Sequence, residues 1–378
     1  MHNACERNPP PPAHIRKHHM KAVLKSLAVA LTGISLSISA VAQSQHPSPA
    51  PNAGLALPLW LAESDIQQLR GDPRRTEALR KRCDRELDVV AQPVDVYEPP
   101  PHYTTQGVTE NSSSRNFAGD GNMAWRAALC YAASGDVRYA RHSQAILSAW
   151  GDRLVSVKSE QGAAEINFDL PTYVLAASLV HGVEGWNDAS FRRLLVKTAL
   201  PLSHIDRSNN HANWGVLLDA TIAAYIGDPS LLSKSRARWL VLMDHQVAAD
   251  GSLPLEVCRS DTIDWCGGAH QGINGLSYTH YTLMPTTAAG RVFEMQGAGV
   301  WQTPQGQKLA SAYRRAAVWT LHPEQFPYFE RNGGKLNGVR NAAYFALLQR
   351  IYPDGNAKEL LEQGHLGMDG LEWLEIFR

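Results

Sequence analysis

The sequence has no excess of charge of either sign. Its 36 Lys and Arg residues balance 36 Asp and Glu residues, so the formal net charge at pH 7 is zero, and the pI is about 7.3. A diffuse basic surface for nucleic acid is therefore not expected, and a polyanion would have to bind to a local cluster of cations. We expect no nucleic-acid partner.

Several common catalytic motifs are also missing. The sequence contains no HExxH, no Walker loop, no GxGxxG and no GxSxG. The usual signatures of zinc proteases, nucleotide-binding domains and serine hydrolases are therefore absent. No two cysteines have the CxxC spacing of a zinc site, so we expect neither a metal nor a cofactor.

Long runs of alternating apolar and polar residues are absent, which disfavours a fold built on β-sheets. Apolar residues spaced by three and four instead predict helices, over residues 123–133, 138–150, 171–181, 191–202, 214–226, 231–247 and 281–295. At two similar junctions, Gly135-Asp136 and Gly227-Asp228-Pro229, glycine can end one helix in a left-handed turn and aspartate can cap the next. Such helical hairpins in series predict an all-α fold, either an α/α toroid or an α-solenoid.

The amino-terminal segment is typical of an export signal. Lys21 and Lys25 precede an apolar run over residues 27–38, and Ala40-Val41-Ala42 then provides a small-residue cleavage pattern. The run is short for a membrane span. We predict a leader and signal peptide over residues 1–42, a periplasmic or secreted protein, and no membrane association after cleavage.

Two irregular stretches follow the signal. Residues 43–60 are rich in Pro, Ser and Ala, and we predict a flexible linker there. Residues 91–120 contain three consecutive prolines and end in a polar segment, a pattern typical of a functional or disordered loop. Residues 61–378 are expected to form one domain, acting as a monomer.

The mature chain would keep four cysteines, Cys83, Cys130, Cys258 and Cys266. Cys258 and Cys266 could close a short loop through a disulfide in an oxidising compartment. Alternatively, all four thiols are reduced and simply packed in the core.

Three segments carry residue types suited to chemistry. The first places Asn209, Asn210 and His211 at the start of an apolar helix. This is either a capping turn or a group of neutral donors around a carboxylate. In the second segment, residues 253–257 are predicted to form a short extended passage. Arg259 follows it, and its guanidinium either pairs with the nearby glutamate or clamps a carboxylate of a ligand.

The third segment, Tyr278-Thr279-His280-Tyr281, directly precedes another apolar helix. Together the three segments resemble the alginate lyase family of the mannuronate-lyase type, through Asn-Asn-His-x-x-Trp, Leu-Pro-x-Glu-x-x-Arg and Tyr-x-x-Tyr in that order. The resemblance covers roughly residues 103–300 and includes a loop over residues 103–116 that resembles the substrate-covering lid of the family. It implies an incomplete α/α toroid of helical hairpins, and a lyase that cleaves an acidic polysaccharide.

The resemblance assigns roles residue by residue. Asn210, His211 and Arg259 would neutralise the uronate carboxylate, and Tyr278 would transfer the proton in a β-elimination. A phenol is a poor base unless positive charge lies nearby, which Arg259 and His211 would supply. His211 is the alternative base for a substrate of opposite C5 configuration. The residues implied to contact substrate are Arg115, Asn209, Trp214, Glu256, His280 and Tyr281.

The sequence departs from the family between Arg259 and Tyr278, where residues 260–277 intervene, and at Thr279, where the family usually has histidine. Alginate or polymannuronate is therefore the expected substrate, with glucuronan next. One alternative is a glycoside hydrolase, which needs two carboxylic residues, with Asp169, Glu256 and Asp264 available. Another is a non-catalytic polysaccharide-binding protein.

Overall fold

The chain is built from helices. A computed structural model describes residues 57–104, 107–108, 111–261, 266–368 and 370–377. Its α-helices are, in chain order, α1 (Glu63–Arg70), α2 (Pro73–Glu86), α3 (Ser112–Ser134), α4 (Val137–Arg153), α5 (Glu160–Val180), α6 (Ala189–Arg193), α7 (Asn210–Ile226), α8 (Pro229–Gln246), α9 (Gly275–Met295), α10 (Pro304–Leu321), α11 (Phe345–Ile351) and α12 (Gly355–Gln363). The all-α expectation is confirmed.

Strands are short in the described part of the chain. Strand β1 (Val96–Tyr97) pairs in parallel with β4 (Ser156–Val157), and β2 (Tyr103–Thr104) pairs in antiparallel fashion with β3 (Gly107–Val108). Helix α6 continues through a π-helical segment, Leu194–Ala199, and a 3₁₀ turn, Leu200–Leu202. Further 3₁₀ turns lie at Val183–Gly185, Pro323–Gln325, Glu330–Asn332 and Glu372–Phe377.

The long helices alternate between an inner and an outer layer. Helices α3, α5, α7 and α9 pack on one another in chain order. Helices α3, α7 and α9 also pack on the helices that follow them, α4, α8 and α10, whereas α5 packs on the preceding α4. In α7, 15 of 17 residues are buried. In α8 the buried residues follow one stripe, Leu232, Ser235, Trp239, Leu242, Met243 and Gln246. Helices buried on most sides, surrounded by helices buried on one face, form the double layer of helical hairpins.

The amino-terminal parts of the inner helices meet at one end of the molecule. Ser114, near the start of α3, donates to Glu165 of α5 over 2.9 Å. Phe168 of α5 lies 5.5 Å from His211 of α7 and 5.4 Å from Tyr281 of α9, between ring centroids. Helix amino termini carry unpaired N–H groups and partial positive charge, so this end of the molecule favours anions.

The two predicted helix junctions form as the sequence indicates. Gly135 ends α3 with φ of 74° and Gly227 ends α7 with φ of 78°, both in the left-handed region. Asp136 caps α4, and Asp228 caps α8 through the N–H groups of its first turn. Pro229 occupies the first turn of α8, where no backbone donor is required.

Some predicted boundaries are wrong. Helix α3 begins at Ser112, not at residue 123, because Asn111 caps it and its first half packs into the core through residues such as Phe117. The predicted linker over residues 43–60 ends too late, because Leu59 and Trp60 are 0% exposed.

The extended passage predicted over residues 253–257 is also wrong. This segment turns, because the N–H groups of both Glu256 and Val257 donate to the carbonyl of Leu253, over 2.9 and 3.0 Å. The turn shortens the path between α8 and Arg259 and brings Glu256 back towards α7.

Both cysteine pairs form disulfides, so the alternative of four reduced thiols is wrong. Cys258 is bonded to Cys266, and Cys83 of α2 is bonded to Cys130 of α3. The second pairing was not predicted, because 47 residues separate the two cysteines and only the fold brings them together.

Among the described residues, none of the helices combines the length and apolar character needed to cross a membrane. The predicted signal over residues 1–42 lies outside the described residues.

Candidate active site

The four residues predicted to be catalytic lie together at the amino-terminal end of the inner helices. Asn210 and His211 open α7, and Tyr278 lies in the first turn of α9. The guanidinium carbon of Arg259 lies 4.3 Å from the centroid of the Tyr278 ring, in a cation–π contact. The charge of Arg259 also acts on His211, so these groups share one environment.

Arg259 is fixed to the helix that carries Tyr278. The N–H of Asn274 and the N–H of Gly272 each donate to the carbonyl of Arg259 over 3.1 Å. Gly275 opens α9 against the preceding turn, since a Cβ atom there would lie 2.1 Å from the carbonyl oxygen of Val257. Arg259 is 4% exposed. The guanidinium is therefore held by the backbone in a defined place beside the phenol.

The Tyr278 phenol is protonated at neutral pH. Its hydroxyl lies 2.8 Å from the hydroxyl of Tyr103. Burial and then the neighbouring Tyr103 raise the pKa of Tyr278 above its usual value, and Arg259 acts in the opposite direction. Tyr278 therefore carries its proton at rest, and a second phenol adjoins it with which that proton can be exchanged.

His211 is neutral. Burial, followed by His204, Arg207 and Arg259, lowers the pKa of His211 to about 3. The expectation that His211 supplies positive charge to Tyr278 is therefore wrong. What the ring offers instead is the lone pair of a neutral imidazole.

Glu256 contacts Asn210. The backbone N–H of Asn210 donates to Glu256 Oε1 over 2.9 Å, and Asn210 Nδ2 lies 3.2 and 3.1 Å from Oε1 and Oε2. Glu256 is 1% exposed, and burial raises its pKa to about 7, although Arg259 and the hydrogen bonds from Asn210 oppose that rise. The prediction that Glu256 contacts substrate is corrected, because its carboxyl group is enclosed and holds Asn210 in place.

The same enclosure weakens the glycoside hydrolase alternative. A hydrolase needs two carboxyl groups facing the scissile bond, and Glu256 is turned towards Asn210. Asp264 lies outside the described residues.

Two residues predicted to contact substrate belong to the core. Trp214 is 0% exposed and packs against Phe168 and Tyr281. His280 is 0% exposed, with Nδ1 2.9 Å from the Tyr344 hydroxyl and Nε2 2.9 Å from a backbone carbonyl. Their assignment to substrate is corrected, because neither ring has surface left for a ligand.

The other predicted substrate residues have different environments. Asn209 caps α7, because its side chain accepts a hydrogen bond from the N–H of His211 over 3.3 Å. For Asn209, the structure agrees with the alternative in which this segment is a capping turn. Arg115 is exposed in the first turn of α3. Tyr281 is partly exposed, with its ring centroid 6.2 Å from that of Tyr278. Arg115 and Tyr281 therefore stay predictions.

Two residues that contact the candidate site were not predicted. Tyr103 falls within the loop that resembles a lid, but no spacing distinguishes it from its neighbours. His204 lies seven residues before His211 in an irregular segment, yet its Nδ1 is 3.2 Å from His211 Nδ1. Only the path of the loop between α6 and α7 could have indicated that contact.

Comparison with known proteins gives the family. The sequence profile of the alginate lyase family matches residues 62–326. A search of curated protein sequences finds no match.

Solved structures of alginate lyases have the same fold. Alginate lyase A1-III from Sphingomonas species A1 is 16% identical, with a TM-score of 0.52 over 67% of this chain and 78% of that chain. An alginate lyase from Bacteroides ovatus is 12% identical, with a TM-score of 0.61 over 85% of this chain and 99% of that chain. A tyrosine-to-phenylalanine variant of A1-III complexed with a tetrasaccharide is 15% identical, with a TM-score of 0.59 over 78% of this chain and 87% of that chain.

The structural likeness confirms the incomplete α/α toroid, and it excludes the α-solenoid that the periodicity left open. The family profile spans most of the 378 residues and includes every segment of the site. The chain belongs to the alginate lyase family and is a polysaccharide lyase.

Proposed function

We propose that this protein cleaves a 1,4-linked polyuronate by β-elimination and leaves an unsaturated uronate at the new chain end. Alginate or polymannuronate is the favoured substrate, with glucuronan next. The observation that carries the proposal is the buried guanidinium of Arg259 against the protonated phenol of Tyr278, beside the neutral imidazole of His211. A relative of the same fold binds a tetrasaccharide as a tyrosine variant, which supports an oligosaccharide ligand.

The first requirement of this reaction is to neutralise a carboxylate. Removing the C5 proton of a uronate places negative charge next to an ionised carboxylate, and the two charges repel. Arg259 and the amino termini of α7 and α9 would stabilise that charge as it grows in the transition state. The enclosed position of Arg259 strengthens the effect, because little water screens it.

The second requirement is a base and an acid. In our proposal Tyr278 serves as both on polymannuronate. Its phenol proton first leaves through the hydroxyl of Tyr103 to solvent, and the phenolate takes the C5 proton. The C5–H electrons form the C4–C5 double bond, and the bond from C4 to the bridging oxygen breaks. Tyr278 then gives that proton to the leaving oxygen, and Arg259 stabilises the phenolate that remains. Each such transfer typically contributes about a hundred- to ten-thousandfold in rate. For a uronate of the opposite C5 configuration, the neutral imidazole of His211 would be the base and Tyr278 the acid.

The test is incubation of the protein with polymannuronate, polyguluronate, glucuronan and hyaluronan while ultraviolet absorbance is followed. We expect new absorbance from the unsaturated uronate with polymannuronate, and less with glucuronan. New reducing ends without absorbance would indicate a hydrolase, and binding without either signal would indicate a non-catalytic protein. Either outcome would contradict the proposal.

We also propose that the protein is exported to the periplasm or beyond. The support is the signal pattern in residues 1–42 and the two disulfides, which persist in oxidising compartments. Amino-terminal sequencing of protein from fractionated cells should begin at Gln43. An uncleaved cytoplasmic protein would refute this.

A further inference from the structure

The side-chain amide of Asn210 has a partner at one end only. Its Nδ2 lies 3.2 and 3.1 Å from Oε1 and Oε2 of Glu256, and the backbone N–H of Asn210 donates to the same Oε1 over 2.9 Å. The other end of the amide, Oδ1, is buried and has no hydrogen-bond partner among the described residues. A buried polar atom without a partner is costly, so a ligand group that pairs with this end of the amide would be favoured.

Glu256 is held beside Asn210 by its own backbone. Its N–H donates to the carbonyl of Leu253 over 2.9 Å, and its carbonyl accepts the N–H of Arg259 over 3.0 Å. The residue is 1% exposed. The charged and titratable groups that act on its carboxyl group are Arg259 in the same segment and Tyr278 of α9, whereas α7 presents the uncharged Asn210.

The two forms of the Glu256 carboxyl group require opposite orientations of the Asn210 amide. An ionised carboxylate only accepts hydrogen bonds, so it pairs with Nδ2 and leaves Oδ1 facing away. A protonated carboxyl group donates one O–H, while its other oxygen still accepts the backbone N–H of Asn210. Rotation of the amide by 180° then lets Oδ1 accept that O–H and turns Nδ2 away from Glu256. In the first orientation the free end repels a second carboxylate, and in the second it binds one.

We propose that Glu256 is a positioning residue whose proton orients the amide of Asn210, so that Nδ2 meets the uronate carboxylate only when Glu256 is protonated. Binding of the ligand beside Arg259 therefore moves one proton from solvent onto Glu256. The proposal rests on the proposed function, in which the ligand is a polyuronate. Asn210 and Arg259 are both enclosed, so the contact between Tyr103 and Tyr278 must open for the ligand to enter.

The carboxyl group of Glu256 titrates in the range that this role needs. Burial raises its pKa to about 7, although Arg259 and the hydrogen bonds from Asn210 oppose that rise, so both forms are populated at neutral pH. A second carboxylate nearby would raise the pKa further, since like charges oppose ionisation. The form that binds ligand is therefore complete well below pH 7 and is lost as the pH rises through 7. Affinity should fall by about tenfold for each pH unit above 7.

The test is titration calorimetry of a polymannuronate tetrasaccharide into the Tyr278→Phe variant of the full chain, where turnover is not expected. Repeating the titration at one pH in buffers of different ionisation enthalpy gives the number of protons taken up. We expect about one proton per bound ligand at pH 8 and about none at pH 5.5, where Glu256 is already protonated. Binding without proton uptake at pH 8 would overturn the proposal. Uptake at pH 5.5 alone would overturn it too, and would point to His211, whose pKa is about 3.

Glu256→Gln imitates the protonated form. The new carbonyl can accept the backbone N–H of Asn210, and the new NH₂ group can donate to Oδ1. In the Tyr278→Phe background this variant should take up no proton at pH 8 and should bind the tetrasaccharide about tenfold more tightly there than its parent. Glu165→Gln is the matched control, because Glu165 is a buried carboxylate of α5 that accepts from Ser114, and it should keep the proton uptake of the parent.

Proton uptake that persists in Glu256→Gln would refute the assignment. If that variant does not fold, the comparison of pH 8 with pH 5.5 in the parent still decides between Glu256 and His211. A tetrasaccharide that binds with no proton uptake contradicts this inference alone. Absence of binding by tetrasaccharides of all four polymers in the ultraviolet assay would contradict the proposed function, and this inference with it.

Discussion

Two buried polar clusters in this protein stabilise different protonation states. In the first, the Arg126 cluster (Glu86, Arg126 and Glu372), the guanidinium lies 2.8 Å from Glu86 and 2.7 Å from Glu372. Burial opposes its charge, yet the hydrogen bonds with the two carboxylates raise the pKa of Arg126. In the candidate site, Glu256 is bound by the neutral Asn210 instead, and its pKa rises to about 7.

This difference distinguishes residues that stabilise the fold from residues that are candidates for proton transfer. In the Arg126 cluster each charge has an opposite partner, so the ionised forms are stable and the cluster joins α2, α3 and the carboxyl-terminal segment. In the site, burial keeps His211 neutral and Tyr278 protonated. Groups whose pKa values are shifted together in one place are candidates for proton transfer, whereas matched ion pairs are expected to contribute to stability alone.

The largest effect is expected from Tyr278→Phe. The variant should lose about a hundred- to ten-thousandfold in kcat, because the phenol that protonates the leaving oxygen is gone. Binding of a polymannuronate oligosaccharide, measured by titration calorimetry, should persist, since the ring can still stack on Arg259. Tyr131→Phe in α3 is the control and should be fully active. A near-normal rate in Tyr278→Phe would remove the distinction between the two clusters.

A substitution in the Arg126 cluster should lower stability and leave activity unchanged, the reverse of what we expect for Tyr278→Phe. Arg126→Met should lower the free energy of unfolding by about 3 to 5 kcal/mol, because two partly buried carboxylates lose their cation. The kcat of the folded variant should be unchanged. Denaturant unfolding and the ultraviolet assay measure the two quantities separately.

Arg141→Met provides the matched control for Arg126. Arg141 pairs with Glu184 on the surface, where the two side chains are 62% and 39% exposed, and the change there should be below about 1 kcal/mol. Equal effects at Arg126 and Arg141 would show that burial does not distinguish the pairs.

Glu256→Gln tests how the site tolerates a buried carboxyl group. The pKa of Glu256 is raised from 4.5 to about 7, so the folded state favours the protonated form. Stability should therefore be highest below pH 4.5 and should fall, by up to about 3 kcal/mol, as the pH rises towards 7. Glutamine cannot ionise, and the variant should lose this dependence in unfolding measurements from pH 4.5 to 8. The same slope in both proteins would contradict the shift.

The sequence predicts which candidate residues come together better than it predicts what surrounds them. Asn210, His211, Arg259 and Tyr278 fall in ordered motifs, and the helix starts around them follow from local capping and spacing. The burial of His280 could not be predicted, because it depends on residues far along the chain that enclose the same helix.

The unpredicted parts of the site share one physical cause. His204 and Tyr103 reach the site through loops, and loop paths are set by packing that no local pattern records. The role of Glu256 was misjudged for a related reason. A predicted extended passage would have pointed its carboxyl group elsewhere, and the turn observed there directs it to Asn210.

The two disulfides allow the same comparison, because one lies beside the Arg126 cluster and the other beside the candidate site. Cys83–Cys130 joins α2 to α3 beside the Arg126 cluster, and Cys258–Cys266 encloses a segment that begins at Arg259. Arg259 also pairs with Cys266 in an isolated β-bridge. The first disulfide spans 47 residues and the second 8, so loop entropy predicts the greater stabilisation from the first, about 4 against about 2.5 kcal/mol.

Replacing both cysteines of one pair by serine should therefore separate stability from activity. The Cys83→Ser, Cys130→Ser variant should unfold at lower denaturant while the folded fraction keeps its kcat/KM. The Cys258→Ser, Cys266→Ser variant should lose less stability but should show kcat/KM lowered by about tenfold or less, because Arg259 is displaced slightly from the phenol. Each pair serves as the control for the other. If the Cys258 variant kept full activity, the backbone contacts of Arg259 with the start of α9 would suffice to place it.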